Sequence, residues 1–151
     1  LEMESYVDLK EKSIKSKSKK ARVDILMTFG TEEESAKGAI ELKFFKKKNH
    51  REPNNRYDIF KDISNLEAYK ENGIDLNYLF LSTDHSHYVN QSEYSADTKD
   101  FDIRKGSKYT SGQILEYRTA KPFGPPIILK GNYEFDWSEP TENIYFTKIE
   151  I

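Results

Sequence analysis

Cysteine is absent from the 151 residues of the chain. This absence excludes disulfide-stapled scaffolds, thiolate zinc sites, iron–sulfur clusters and cysteine nucleophiles. Long apolar runs are missing as well, since no segment approaches the roughly 18 residues that a membrane-spanning helix requires. Nor does the chain begin with the apolar segment of a secretory signal. We therefore expect a cytoplasmic protein that has no membrane partner.

Aromatic residues, in contrast, are plentiful, at 13% of the chain. Disordered chains are poor in such side chains, so a folded protein is expected although 33% of the residues are charged. A length of 151 residues matches one domain with one hydrophobic core. We interpret residues 1–151 as a single domain.

The net charge of −2 is distributed unevenly along the chain. Residues 10–51 contain thirteen Lys and Arg against six Asp and Glu, a local excess of seven positive charges. The segments on either side, residues 1–9 and 52–151, are both acidic. A basic block of this kind is either a solvated lysine-rich loop or the binding surface for a polyanion. The choice between the two depends on whether the block also contains candidate catalytic or metal-binding residues.

Alternation of apolar and polar residues predicts three strands, at residues 1–9, 22–29 and 39–45. The lysine- and serine-rich residues 10–20 are predicted to be an exposed connection, and the acidic residues 30–38 a loop. The predicted apolar faces consist of Val23, Ile25, Met27 and Phe29 in the second strand and of Ile40, Leu42 and Phe44 in the third.

Apolar residues at three- and four-residue spacing from Ile59 to Tyr69 predict a helix that follows a polar connection at residues 53–55. The dense apolar run at 76–83 predicts a central strand, so that strand, helix and strand form a βαβ unit. Residues 84–122 are predicted to be long loops with a short helix near 111–117. Two closing strands, at about 127–136 and 144–150, are predicted to be joined by a turn at 138–140. The expected fold is one α/β domain with a mixed sheet.

Three polar residues of these strands, Asp24, Glu41 and Lys43, lie opposite the predicted apolar faces. If their strands pair, the three side chains converge on one patch. Two adjacent carboxylates repel each other and favour a hard cation such as Mg²⁺ or Mn²⁺. A lysine beside them can orient a water molecule and stabilise charge on a phosphoryl oxygen. Together these groups are suited to phosphodiester hydrolysis.

The order of these residues, a strand Asp, sixteen residues, then Glu-Leu-Lys on the next strand, resembles the PD-(D/E)XK nuclease superfamily. The resemblance covers about residues 20–83. Acid-x-Lys occurs three times in the chain, but only Glu41-Leu42-Lys43 lies in an apolar strand with an Asp-bearing strand before it. Val23 stands where the family name has Pro. Many members begin with a further helix, so the chain is expected to be an N-terminally truncated fragment.

The resemblance implies a restriction-endonuclease-like fold, a mixed β-sheet core with flanking helices. It also implies that Asp24 and Glu41 bind Mg²⁺ or Mn²⁺, that the Leu42 carbonyl is a further ligand, and that Lys43 is the catalytic lysine. Asn65 and Tyr69 are similar to the Gln-x-x-x-Tyr motif of exonuclease-type branches, with Asn in place of Gln. The implied activity is hydrolysis of DNA by an endonuclease of restriction, mobile-element or repair type.

The basic block then acquires a predicted role as the DNA-binding surface. The residues expected to contact phosphates are those that flank the two signature strands: Lys19, Lys20, Lys46, Lys47, Lys48 and Arg51. A homodimer is a further expectation, since endonucleases that cut both strands often dimerise.

Other interpretations of these residues remain open. The domain could be a non-catalytic nucleic-acid-binding or interaction module that retains the fold. Glu41 and Lys43 could form an ordinary surface ion pair that contributes little. His85 and His87 could be a metal site, although no third ligand is evident. The helix acids Asp58, Asp62 and Glu67 are interpreted as solvated or supporting charges.

Overall fold

The computed structural model describes residues 1–31 and 34–151 of the chain. Within these ranges the regular elements are, in chain order, β1 (Glu2–Asp8), β2 (Lys20–Gly30), β3 (Ser35–Phe45), α1 (Glu52–Glu71), β4 (Leu76–Thr83), α2 (His87–Asn90), β5 (Lys108–Tyr109), β6 (Ile114–Leu115), β7 (Ile127–Ile128), β8 (Tyr133–Glu134), β9 (Ser138–Thr141) and β10 (Ile144–Glu150). Two short 3-10 turns, Lys47–Asn49 and Ala96–Thr98, lie in the connections. None of the helices in the described part of the chain has both the length and the apolar character needed to cross a membrane.

Six strands form one mixed sheet in the order β1-β2-β3-β4-β10-β9. Neighbouring strands are antiparallel except β3 and β4, which are parallel. Helix α1 connects this parallel pair, as the predicted βαβ unit requires. The protein is therefore a mixed α/β domain, and its three N-terminal strands lie where alternation predicts them.

Helix α1 is buried on most of its surface because it lies between two layers. One side packs on β3 and β4, and the other is covered by the segment that follows β4. Phe60 contacts the rings of Phe101 and Tyr109 at centroid distances of 5.7 and 4.8 Å. The Arg56 guanidinium donates hydrogen bonds to the carbonyls of Thr98 and Phe101. The polar residues 84–122, predicted as long loops with one short helix, thus cover α1.

Several predicted boundaries are wrong. The helix starts at Glu52 rather than after residues 53–55, because proline fits the first turn of a helix, where its missing N–H has no partner to lose. The helix predicted near 111–117 is absent from the structure. Ile114 is exposed and Leu115 is buried there, which is the alternation of a strand, and the two form β6.

The closing region also differs from the prediction. The strand expected at 127–136 is interrupted at Lys130 and Gly131, whose N–H groups donate to the buried carboxylate of Glu67. Strands β7 and β8 consequently pair with different partners outside the main sheet. The turn expected at 138–140 is strand β9, and the chain reverses instead near Asn143, which adopts a positive φ of 59°. Within the loop predicted at 30–38, β3 already begins at Ser35, and residues 32 and 33 lie outside the described residues.

The predicted assignment of sheet faces holds only in part, since Ile40 and Val23 are buried as predicted but other apolar residues of the same faces are not. The apolar side chains of Leu42 and Phe44 are 43% and 48% exposed, on the face of the sheet away from α1. Glu41 and Lys43 face α1 instead, where Glu41 has no exposed surface. Val23 is fully buried, whereas Phe29 is 45% exposed, so the predicted common face of β2 changes along the strand. The covered face of the sheet therefore carries the charged residues.

Candidate functional site

The candidate site begins where β2 and β3 separate. Their paired register runs from Gly30 and Ser35 to Ile25 and Ile40. At the next position the side chain of Asp24 replaces a backbone acceptor, because its Oδ2 accepts a hydrogen bond from the Leu42 N–H at 2.8 Å. The carboxylate of Asp24 is thereby held beside Glu41.

Glu41 is the most buried acid of the site, with no exposed surface. Its Oε2 lies 3.1 Å from Lys15 Nζ, and its Oε1 lies 3.5 Å from the Tyr69 hydroxyl. Burial and the nearby charges of Asp62 and Asp24 raise the pKa of Glu41 to about 7, against the opposing effect of the Lys15 ammonium. Removal from water disfavours the ionised form. Near neutral pH this carboxyl can therefore either hold or release a proton.

Lys43 is held by an acid of helix α1. Its Nζ lies 3.0 Å from Asp62 Oδ2, and its side chain is 26% exposed. Asp62 is 1% exposed and also contacts Lys15 Nζ, at 2.7 Å through Oδ1. One buried carboxylate thus links two ammonium groups, one of which also contacts Glu41.

The residues Asn65 and Tyr69 lie at the same site, one turn and two turns after Asp62 along α1. The Asn65 amide oxygen accepts a hydrogen bond from the Ser13 hydroxyl, and its amide nitrogen lies 3.5 Å from the Tyr69 hydroxyl. The Tyr69 hydroxyl donates to the Arg22 carbonyl at 3.1 Å. Burial, together with the Glu41 charge, raises the pKa of Tyr69, so its hydroxyl stays protonated and available as a donor.

The segment 10–20 is not the fully exposed connection that its composition predicts. Ser13 is buried and accepts hydrogen bonds from the backbone N–H groups of Lys15 and Ser16. This turn directs the Lys15 side chain inward, where it is 27% exposed. Although burial acts to lower it, the pKa of Lys15 is raised by Asp62 and Glu41, so the side chain is a cation throughout the physiological range.

A groove of about 370 Å³ opens beside Lys43. Four basic and two acidic side chains line it together with aromatic and amide groups: Lys15, Lys43, Arg51, Lys61, Asp58, Asp62, Phe44, Phe45, Asn49 and Asn55. Of the six basic residues predicted to contact DNA, Arg51 lines this groove. The other five, Lys19, Lys20, Lys46, Lys47 and Lys48, are exposed elsewhere on the surface.

The donor chemistry of the site fits a hard divalent cation. Carboxylate oxygens are the ligands that Mg²⁺ and Mn²⁺ prefer, and Glu41 lies close enough to Asp24 and Asp62 for their charges to act on it. Within residues 1–31 and 34–151, no three His, Cys, Asp or Glu side chains form a ready-made metal site. A cation at Glu41 would therefore need a change of side-chain position or a backbone oxygen such as that of Leu42.

The histidines form a separate contact. His85 Nε2 lies 3.0 Å from Glu52 Oε1, and the His85 and His87 rings stack at 5.3 Å. This arrangement explains both rings as a paired, partly buried cluster at the start of α1. Among the described residues, no group of three possible metal ligands includes either histidine.

Two residues of the site, Lys15 and Asp62, were not identified from the sequence. The sequence predicts Asp62 to be a solvated or supporting charge; in the structure it is buried and supports Lys15 and Lys43 through ion pairs. A signal for it exists, because Asp62, Asn65 and Tyr69 have the three- and four-residue spacing of one helix face. No local signal marks Lys15, which is one of seven basic residues in the segment 10–22.

Comparisons with protein-family models, with curated proteins and with solved structures find no match for this chain.

Proposed function

We propose that the protein is a metal-dependent nuclease that hydrolyses DNA phosphodiester bonds, with a restriction-endonuclease-like core. The observation that supports this proposal most directly is that Asp24 lies beside Glu41 where β2 and β3 separate, while Lys43 of the same strand β3 lines an open groove that contains further basic residues. Two hard carboxylates and an ammonium beside them are the groups that phosphodiester hydrolysis requires.

Each residue has a definite task in this proposal. Asp24 and Glu41, with the Leu42 carbonyl, would hold Mg²⁺ or Mn²⁺, which when bound supplies a Lewis acid and lowers the pKa of a coordinated water. Lys43 lies at the edge of the groove, where its ammonium can stabilise negative charge on a phosphoryl oxygen. Asp62 of helix α1 holds that ammonium in place through an ion pair. The Tyr69 hydroxyl, which donates to the Arg22 carbonyl, lies 3.5 Å from Glu41 Oε1 and closes the site on that side.

The DNA partner is supported by charge. Arg51 and Lys61 line the groove beside Lys43, and Lys46, Lys47 and Lys48 follow directly on β3 as exposed side chains. Phosphates bound along this edge would lead to the groove. We keep the cytoplasm as the proposed compartment and restriction, mobile-element or repair activity as the proposed setting, with a homodimer as the form that could cut both strands.

A second candidate function is a non-catalytic nucleic-acid-binding module of the same fold. One observation favours it: Glu41 has no exposed surface and its Oε2 is paired with Lys15. A carboxylate in this state does not reach a metal ion until Lys15 or the backbone moves.

Metal dependence separates the two functions. Supercoiled plasmid is incubated with the protein in Mg²⁺, in Mn²⁺ and in EDTA, and nicked and linear products are measured. The nuclease predicts cleavage with either metal and none with EDTA. Salt-sensitive DNA binding without cleavage in any of the three conditions would contradict the nuclease and favour the binding module.

A further inference from the structure

The ammonium of Lys15 occupies the position between the two most buried carboxylates of the site. Lys15 Nζ lies 3.1 Å from Glu41 Oε2 on β3 and 2.7 Å from Asp62 Oδ1 on α1. Both acids are almost completely buried, at 0% and 1% exposure. A single cation therefore bridges the sheet and the helix at this point.

The loop that carries Lys15 is anchored to the rest of the fold by hydrogen bonds. Its ends are joined by the hydrogen bond from the Leu9 N–H to the Lys19 carbonyl, at 2.6 Å. Ser13 links the middle of the loop to Asn65 on α1 and organises the turn at Lys15. The Lys10 N–H donates to the Asn72 side chain at the end of α1. Contacts at the ends and in the middle of the loop thus fix the position of Lys15.

Of the two buried carboxylates, Asp62 is the one that the ammonium groups satisfy poorly. Asp62 is buried, yet neither of its oxygens accepts a hydrogen bond of favourable geometry, so it is balanced only by the charges of Lys15 and Lys43. Asp24, Glu41 and Asp62 together carry three potential negative charges against two ammonium groups. Oxygen atoms in this condition favour a smaller cation of higher charge, which they approach more closely than an ammonium.

We propose that Glu41 and Asp62 form a divalent-cation site whose cation position is held by Lys15 until the metal ion displaces it. The Lys15 side chain then turns toward solvent, to which it is already 27% exposed. The inference adds Asp62 as a metal ligand and makes Lys15 a built-in competitor of the metal. It rests on the proposed function for the identity of the cation, but it predicts binding and displacement whether or not DNA is cleaved.

The wild-type chain tests the displacement directly. The protein is treated with an acetylating reagent in EDTA and in Mn²⁺, and the modification of each lysine is measured by mass spectrometry. Displacement predicts that Mn²⁺ increases the acetylation rate of Lys15 by about threefold or more, since a buried, ion-paired amine reacts more slowly than a solvated one. Lys12, which is exposed, is the internal reference and is expected to react at the same rate in both conditions. An unchanged or decreased rate at Lys15 would overturn the proposal.

A matched pair of variants gives an independent measurement. Lys15→Met leaves the two acids without their shared cation, so the melting temperature in EDTA is expected to fall by about 5 °C or more. Mn²⁺ then fills the vacated position, and its apparent affinity is expected to rise by about tenfold over the wild type. The melting temperature should recover accordingly. Lys12→Met, in the same loop, is expected to match the wild type in both measurements.

The outcomes distinguish this inference from the proposed nuclease. Tighter Mn²⁺ binding by Lys15→Met supports the inference even if plasmid DNA is never cleaved. Metal-dependent cleavage by the wild type, together with equal Mn²⁺ affinity for wild type and Lys15→Met, overturns the inference and leaves the nuclease standing. Absence of any Mn²⁺ effect on Lys15→Met also overturns the inference.

Discussion

At the scale of single residues, the buried carboxyl group of Glu41 is expected to make the stability of the fold depend on pH. Its carboxyl group has no solvent contact and shares its surroundings with two other acids. Ionisation in such a place costs free energy that the Lys15 ammonium only partly recovers. The pKa of Glu41 is raised to about 7. Between the ordinary Glu value and about pH 7, the folded state therefore holds a proton that the unfolded state has released.

The free energy of unfolding should therefore depend on pH through this residue. Between the ordinary Glu value and about 7, the folded state binds more protons than the unfolded state, so stability falls as the pH rises through that window. Glu41→Gln removes this dependence. The stability advantage of Glu41→Gln over the wild type should be about 2 kcal/mol larger at pH 8 than at pH 5.

Urea unfolding at the two pH values measures this difference. The single Trp137 is 2% exposed and provides the fluorescence signal for unfolding. An advantage that is the same at both pH values would contradict a raised pKa at Glu41. Glu93→Gln, at an exposed position, serves as the control and should show no such change.

At the scale of secondary-structure elements, the loop between β1 and β2 is held against α1 by Ser13. Ser13→Ala removes the hydroxyl that contacts Asn65 and the N–H groups of Lys15 and Ser16. Losing these hydrogen bonds costs about 1 kcal/mol, so the population of the open loop should rise about fivefold.

Limited trypsin digestion measures that opening, because the loop contains several lysines. Cleavage within residues 10–20 should be about fivefold faster in Ser13→Ala than in the wild type. Ser16→Ala is the matched control, since the Ser16 hydroxyl contacts only residues of its own loop. Equal cleavage rates for Ser13→Ala and the wild type would show that the loop is not anchored through this residue.

The sequence predicts where the strands and the helix lie better than it predicts which of their faces is buried. Alternation located β1, β2 and β3, and helical spacing located α1, because both are local properties of the chain. The direction in which each face points is not local. Ile40, Leu42 and Phe44 resemble a core face, but α1 brings Asp62 against the other side, where Glu41 is buried and Lys43 is half-buried.

The candidate site was predictable to the same extent. The spacing of Asp24, Glu41 and Lys43 on neighbouring strands predicts one shared patch. In the structure the charge of Asp24 acts on Glu41, whereas the ammonium of Lys43 is paired with Asp62. Lys15 could not be selected, because its role depends on the folded shape of a loop whose composition is typical of an exposed linker. The short ladders of residues 108–134 were missed for a related reason, since pairs of two residues carry almost no periodic signal.

At the scale of the whole molecule, charge is uneven along the chain, with a basic block at residues 10–51 between two acidic segments. Electrostatic contact with phosphates should make DNA binding fall steeply with salt. If about four phosphates are contacted, affinity should decrease by roughly 100-fold between about 50 and about 200 mM salt.

A pair of variants locates the contact. Arg51→Ala removes an exposed groove residue and should both weaken binding and reduce the salt slope by about one. Lys99→Ala, an exposed lysine outside the basic block, should change neither. Fluorescence anisotropy of a labelled duplex at a series of salt concentrations measures both quantities, and a slope near zero for the wild type would rule out the proposed DNA partner.

In the proposed nuclease, Lys43 acts on a phosphodiester bond beside Glu41. The most direct test compares DNA cleavage and DNA affinity for the wild type, Lys43→Ala and Lys37→Ala in Mg²⁺. Lys37 lies on the same strand and is exposed, so it is the matched control. The account predicts that Lys43→Ala cleaves at least about 100-fold more slowly while its affinity for DNA is retained, and that Lys37→Ala behaves as the wild type. Cleavage by Lys43→Ala at the wild-type rate would contradict the account.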